Sequence, residues 1–369
     1  MIASHLARNM GTMRLLPRTF RWPALVVAVF VALGSPSFAD SAMTAASAAS
    51  SNPKTSPAKA ASTVDPAIGV STAPVRQMFT TTRSSFEGHE VYSYVPPNPT
   101  GVVYMFHGTG GGAGFVTKIE TVDLLNTLVA RGYAFVSTDS TDRTTKQWNV
   151  TDPSAKTNPD LARLAALRRH VIATTAVTPT TPTYGIGMSN GSAFTALWAV
   201  TSERSGIPVD AEGLYMAGPR QVVFQTGGID VPTFMVIGQN DTRTDPTRER
   251  AELQRIAAGG TPTELEEVPQ RPILAARYRR IPGVNQTTAN AIVAAYQKAG
   301  VIDAQGNLIV TLPKIQAGDQ PKAFDVKLPS SLSHTQKQEV SNETLATLGE
   351  HQFNAEFKTQ NAEFFEVHH

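Results

Sequence analysis

The stretch TYGIGMSNGSAFTALWAVT, residues 183–201, decides how the chain is read. It begins with a run from Thr183 to Met188 suited to a buried strand, and a helix is expected from Gly191 to Thr201. Between them lies Gly187-Met188-Ser189-Asn190-Gly191, a G-x-S-x-G. Glycine on both sides of the serine permits a very tight strand-to-helix turn. Such a turn forces Ser189 into a strained backbone conformation and lifts its hydroxyl above the sheet. The free N–H groups at the start of the helix stabilise negative charge that develops there. Ser189 is the candidate nucleophile; the competing reading is a glycine-rich turn whose serine only caps the helix.

Upstream, VVYMF (102–106) is a second buried-strand candidate, followed at once by His107-Gly108-Thr109-Gly110-Gly111-Gly112. Glycines there let backbone amides approach a substrate oxygen with no side chain in the way. A tetrahedral oxyanion needs two preorganised donors. Thr109 or Gly110 is expected to supply one and Asn190, the residue after the serine, the other. His107 precedes the serine within this turn and suits a structural hydrogen-bonding role.

Strand and helix candidates alternate on either side of these motifs. AFVST (134–138), GLYMA (213–217) and TFMVIG (233–238) read as strands, and 116–131 and 161–175 as helices. A helix over 247–258 and a strand near 263–268 follow. This alternation predicts a mostly parallel sheet covered on both faces. Residues 270–350 hold helical stretches that look like an insertion over one end of the sheet, either a lid or cap or a structural elaboration.

The order of HGTGGG and then GMSNG, with Ser189 eighty-two residues after His107, resembles the α/β-hydrolase superfamily, and within it bacterial exported esterases acting on feruloyl, polyester or other bulky esters. The resemblance covers residues 90–260 well and the C-terminal third loosely. It implies a serine hydrolase acting on a small or polymeric ester with no cofactor and no metal. It also implies an acid after a later strand and a histidine after that. Asp241, just past TFMVIG, fits the acid, with Asp245 as the alternative. Four histidines follow: His334, His351, His368 and His369. The last two end the chain, where fraying opposes precise positioning. His351, in the break GEHQF before the terminal helix, is favoured over His334, which opens a helix. Trp148, in TTKQWNVTDP, is a candidate substrate-binding side chain that could stack on a ring, or else an anchor for a long loop.

Two other function classes use the same residues. Gly108-Thr109-Gly110-Gly111-Gly112-Ala113 fits a dinucleotide fingerprint, with Asp139 as a ribose ligand, but Asp139 falls twenty-six residues past Ala113, later than the fingerprint prefers. A hydrolase-fold binding protein without catalysis is the third class.

Composition bounds these readings. The chain has 369 residues and no cysteine, which excludes disulfides, thiolate metal sites and a cysteine nucleophile. Arg8, Arg14, Arg18 and Arg21, the apolar run Ala24 to Leu33 and Ser37-Phe38-Ala39 predict a signal peptide over 1–39 and export to the periplasm or beyond. Removing those four arginines turns 32 Lys and Arg against 30 Asp and Glu into 28 against 30, about −2. Nothing then favours a nucleic-acid partner, and no stable membrane association is expected after cleavage. Residues 40–80, rich in Ala, Ser, Thr and Pro, predict a flexible leader before a catalytic domain over 81–369.

Overall fold

A computed structural model describes residues 64–202, 208–312 and 324–369. The signal-peptide reading over 1–39 and the leader over 40–63 lie outside the described residues. The rest of the expected leader, 64–80, is not free. Asp65 bridges to Val70, Ile68 and Val70 are buried, and the Val75 N–H donates to the Arg280 carbonyl at 2.9 Å. Burial of these two aliphatic side chains helps seat the segment, so residues before 81 pack with the domain.

Eight strands form one sheet: β1 (Thr82–Phe86), β2 (His89–Tyr94), β3 (Gly101–Phe106), β4 (Tyr133–Thr138), β5 (Thr183–Met188), β6 (Ala211–Tyr215), β7 (Thr233–Gly238) and β8 (Thr263–Val268). Their order is β1-β2-β4-β3-β5-β6-β7-β8, with β1–β2 and β2–β4 antiparallel and all other pairs parallel. The β1–β2 hairpin is an element the sequence reading lacked. Glu87 and Gly88 form its turn with φ of 49° and 77°, the left-handed pair a two-residue hairpin requires.

The helices are α1 (Ile119–Ala130), α2 (Pro159–Thr174), α3 (Asn190–Ser202), α4 (Gln221–Gln225), α5 (Pro246–Ala258), α6 (Ala275–Tyr278), α7 (Gln286–Lys298), α8 (His334–Thr347) and α9 (Lys358–Val367). Strand alternation sends Val102, Tyr104 and Phe106 of β3 towards α2, α3 and α5, and Val103 and Met105 towards α1 and α9. The sheet is therefore covered on both faces, as the unbroken apolar strands require. This is the α/β-hydrolase architecture, with a C-terminal helical extension.

Residues 270–350 carry their own apolar cluster, in which Ile273, Tyr278, Ile292, Tyr296 and Val340 meet Ile119 of α1. Below it lies a buried ion cluster. Arg280 reaches Glu343 of α8 and Asp123 of α1, both at 2.8 Å, and also pairs with Glu120 of α1. Arg277 meets Glu120 at 2.9 Å and donates to the Ile68 carbonyl. The helical segment is thus fastened to α1 and to the residues that precede the sheet.

The core also holds a titrating strain. Glu212 of β6 is fully buried; its Oε1 accepts from Thr233 at 3.0 Å and its Oε2 has no partner. Burial pushes its carboxyl up to about 8. The folded state then holds this proton where the unfolded chain has released it, so stability falls as pH rises from about 4.5 through 8. Glu212→Gln should flatten that fall and exceed the parent in stability at pH 8.5 by roughly 3–5 kcal/mol. Thermal midpoints at pH 5 and pH 8.5 check this; parallel declines in the two proteins would refute it.

Candidate active site

The sheet order places the site. The chain runs from β3 outward to β4, then returns across β3 to β5, so the carboxyl ends of β3 and β5 border a crevice where the winding reverses. His107 to Gly112 leave the end of β3, and Ser189 leaves the end of β5.

Ser189 has φ of 57°, a left-handed conformation rare outside glycine. Its N–H donates to the Tyr215 carbonyl at 2.8 Å and its carbonyl accepts from Ala193, which holds the turn between β6 and α3. Only glycine fits beside it. A Cβ on Gly187 would lie 2.2 Å from the Gly191 carbonyl oxygen, and one on Gly191 would lie 2.3 Å from that of Phe106.

Ser189 meets the favoured histidine. The Ser189 hydroxyl donates to His351 Nε2 at 2.8 Å, and His351 Nδ1–H donates to Asp241 Oδ2 at 2.7 Å. The ionised carboxylate can only accept, which assigns the ring proton to Nδ1. Asp241 Oδ1 accepts from the N–H groups of Arg243 and Thr244 at 2.8 and 2.9 Å. Burial pushes the Asp241 carboxyl up, yet the hydrogen bond and charge of His351, with the Thr244 donors, hold it below the usual range.

The alternatives lie elsewhere. Asp245 caps α5, accepting from Thr247 at 2.9 Å. His334 is exposed at the first turn of α8, behind the Ser333–Gln336 capping box. His368 packs on Phe364, and His369 is exposed at the chain end.

The Asp241 and His351 loops, 110 residues apart, are zipped together directly. The Asn240 N–H donates to the Gly349 carbonyl at 2.9 Å and its side-chain amide to the Leu348 carbonyl at 3.0 Å. Glu350, fully buried, accepts from the Thr242 and His351 N–H groups through Oε1, at 2.7 and 2.8 Å. Sequence reading missed Glu350; its only signal was adjacency to His351. Glu350→Ala should lower kcat on an ester substrate about 100-fold by freeing both loops, and Glu350→Gln, which keeps the acceptor, should stay within about fivefold. Equal kcat values for the two variants in steady-state assays would refute this role.

The HGTGGG loop is folded on itself. Gly111 N–H donates to the Gly108 carbonyl at 3.0 Å, and Gly110 N–H to the Lys146 carbonyl at 3.1 Å. Gly110, expected as an oxyanion donor, has therefore spent its N–H. Among the described residues, no hydrogen bond occupies the N–H groups of Thr109 or Asn190. His107 is structural, as expected: Nε2 accepts from Ser140 at 3.1 Å and Nδ1–H donates to the Gly108 carbonyl. Burial brings its imidazole down to about 4, which keeps it neutral.

Trp148 does not line the cavity beside Ser189, contrary to the substrate-binding expectation. It is buried and stacked on Phe194 at 4.6 Å, and its indole N–H donates to the His107 carbonyl at 2.9 Å. Its backbone N–H donates to the Asn190 side chain at 2.7 Å. The ring therefore anchors the 140–150 loop against the elbow, because a large apolar face with one donor is most stable in a core that supplies one acceptor. Asp139, the ribose ligand of the dinucleotide reading, is likewise engaged, accepting from Ala113 at 2.8 Å and pairing with Arg143. Among the described residues no three His, Cys, Asp or Glu side chains converge as a metal would need, and no helix is long and apolar enough to cross a membrane.

The cavity beside Ser189 measures about 160 Å³ and is walled by the glycine loop, α1, α8 and the loops of Arg243 and His351. Gln338, Glu339 and Asn342 of α8 belong to this wall, so the C-terminal extension contributes to the site.

Comparison with known proteins gives no family model and no curated relative that matches. Solved structures share part of the fold. A carboxylesterase from Mesorhizobium loti is 15% identical, with 52% of this chain and 90% of that one covered and a TM-score of 0.38. A thermophilic esterase from Thermogutta terrifontis is 16% identical over 51% and 80% of the two chains, TM-score 0.37. An esterase from Pyrococcus furiosus is 14% identical over 52% and 83%, TM-score 0.38. At these scores the likeness adds nothing to the strand order as the basis of the fold.

Proposed function

We propose that this protein is a serine hydrolase that cleaves carboxylic esters through an acyl-enzyme intermediate. The observation that carries the reading is the chain Ser189–His351–Asp241, at 2.8 and 2.7 Å, with the serine held at φ of 57°. His351 Nε2 takes the hydroxyl proton as Ser189 Oγ attacks the ester carbonyl. Asp241 keeps the ring in the Nδ1–H tautomer and stabilises the imidazolium without itself being protonated. The Asn190 and Thr109 N–H groups take the oxyanion, aided by the start of α3. The same imidazolium then protonates the departing alcohol, and water repeats the sequence to release the acid. Export belongs to the same proposal, supported by the four arginines and the apolar run within residues 1–39.

The test is turnover of p-nitrophenyl acetate and butyrate together with fluorophosphonate labelling mapped by mass spectrometry. The expected result is hydrolysis with the label on Ser189, and loss of at least about 10³-fold in kcat for His351→Ala with its fold intact. A protein that neither turns over the esters nor takes the label would overturn the reading.

A further inference from the structure

The charged side chains lining the cavity beside Ser189 are not all paired among the described residues. Four of them face it: Lys118, Glu120, Arg243 and Glu339. Lys118 stands 3.7 Å from Glu339, and Glu120 is held by Arg277 and Arg280. The Asp241 carboxylate is held by hydrogen bonds from the neutral His351 ring and the Thr244 N–H. Arg243 is different. It is half-buried, its N–H donates to Asp241 Oδ1, and among the described residues its guanidinium has neither an acidic partner nor a hydrogen bond. Arg243 is therefore the charged side chain of this wall that no neighbour pairs, and it lies on the same short loop as Asp241 of the Ser189–His351–Asp241 chain.

A guanidinium drawn partly out of water gains most from an anion that meets its planar fork through two parallel N–H···O bonds. In a cleft with low-dielectric walls such as Phe115, Met188 and Phe353, that attraction is stronger than at an open surface. From the Arg243 geometry we infer that the site takes esters bearing an ionised carboxylate. The carboxylate lies on the Arg243 guanidinium while the ester carbonyl lies at Ser189. This inference rests on the proposed function and names its substrate class.

The experiment compares kcat/KM for the p-nitrophenyl half-ester of glutaric acid with that for p-nitrophenyl valerate, the neutral ester of equal acyl length, with spontaneous hydrolysis subtracted. The parent protein should prefer the anionic ester at least tenfold at low salt, with the preference shrinking as ionic strength rises. In Arg243→Gln the ratio should fall at least tenfold, and Arg243→Lys should restore part of it. Competitive inhibition by glutarate should weaken in parallel in Arg243→Gln. A parent that hydrolyses both esters with no anionic preference, or a ratio unchanged in Arg243→Gln, overturns the charge recognition and leaves the serine hydrolase standing. Hydrolysis of neither ester, with no fluorophosphonate label on Ser189, overturns both.

Discussion

Replacing Ser189 by alanine is expected to lower kcat for an activated ester by about 10⁴–10⁶-fold, with little change in KM. On the proposed mechanism the loss is large because the hydroxyl, imidazole and carboxylate act as one unit. Without the oxygen, His351 has no proton to take and no covalent intermediate forms. The residual rate comes from what remains, the Thr109 and Asn190 donors and the bound geometry. The variant must be shown to fold, and stability offers a second reading of the same turn. Ser189 sits at φ of 57°, where alanine is as strained as serine but glycine is not. Ser189→Gly should therefore be more stable than Ser189→Ala, by about 1 kcal/mol, while being equally inactive. Retention of a tenth or more of the parental kcat in either variant would remove Ser189 as nucleophile.

Replacing Arg280 by methionine should cause the largest loss of stability, about 3–5 kcal/mol. The guanidinium is fully buried and lies among Glu120, Asp123 and Glu343. Glu120 and Glu343 are themselves almost wholly excluded from water, so its removal leaves carboxylates facing each other with Arg277 as their remaining close cation. Lys358 still meets Asp123, but at the half-buried edge of the cluster. The thermal midpoint should fall by roughly 5–10 °C. The same cluster fastens α8 to α1, and α8 supplies Gln338, Glu339 and Asn342 to the cavity wall, so ester hydrolysis should be lost at a lower temperature as well. A shift of less than about 2 °C would mean that the apolar contacts around Ile119 hold the extension unaided.

Much of the fold was legible because the central strands are unbroken apolar runs whose only stable setting is a sheet covered on both faces. The hairpin of β1 and β2 was not, since its residues are mostly exposed or half-buried and its Glu-Gly turn is a weak signal beside Asn-Gly. Trp148 stayed open between a substrate contact and a loop anchor for a related reason: an aromatic residue in a long polar loop fits either until its neighbours, Phe106 and Phe194, are known. Gly110 looked as available as Thr109, and only the Lys146 carbonyl separates them.

The sequence by itself determined the strand-to-helix elbow at Ser189 and the glycine loop after β3. Both are steric consequences of glycines adjacent in the chain, and short-range sterics can be read residue by residue. Which acid and which histidine meet that serine was decided only by the tertiary structure. Asp241 and Asp245 stand four residues apart, and His334 and His351 both border helices, so local pattern ranks them without settling them. The choice is made where β7, in its place between β6 and β8, delivers Asn240, Asp241 and Thr242 against Leu348, Gly349 and Glu350. Hydrogen bonds across 110 residues of chain fix that meeting, and such contacts depend on strand order in space, which no local spacing encodes.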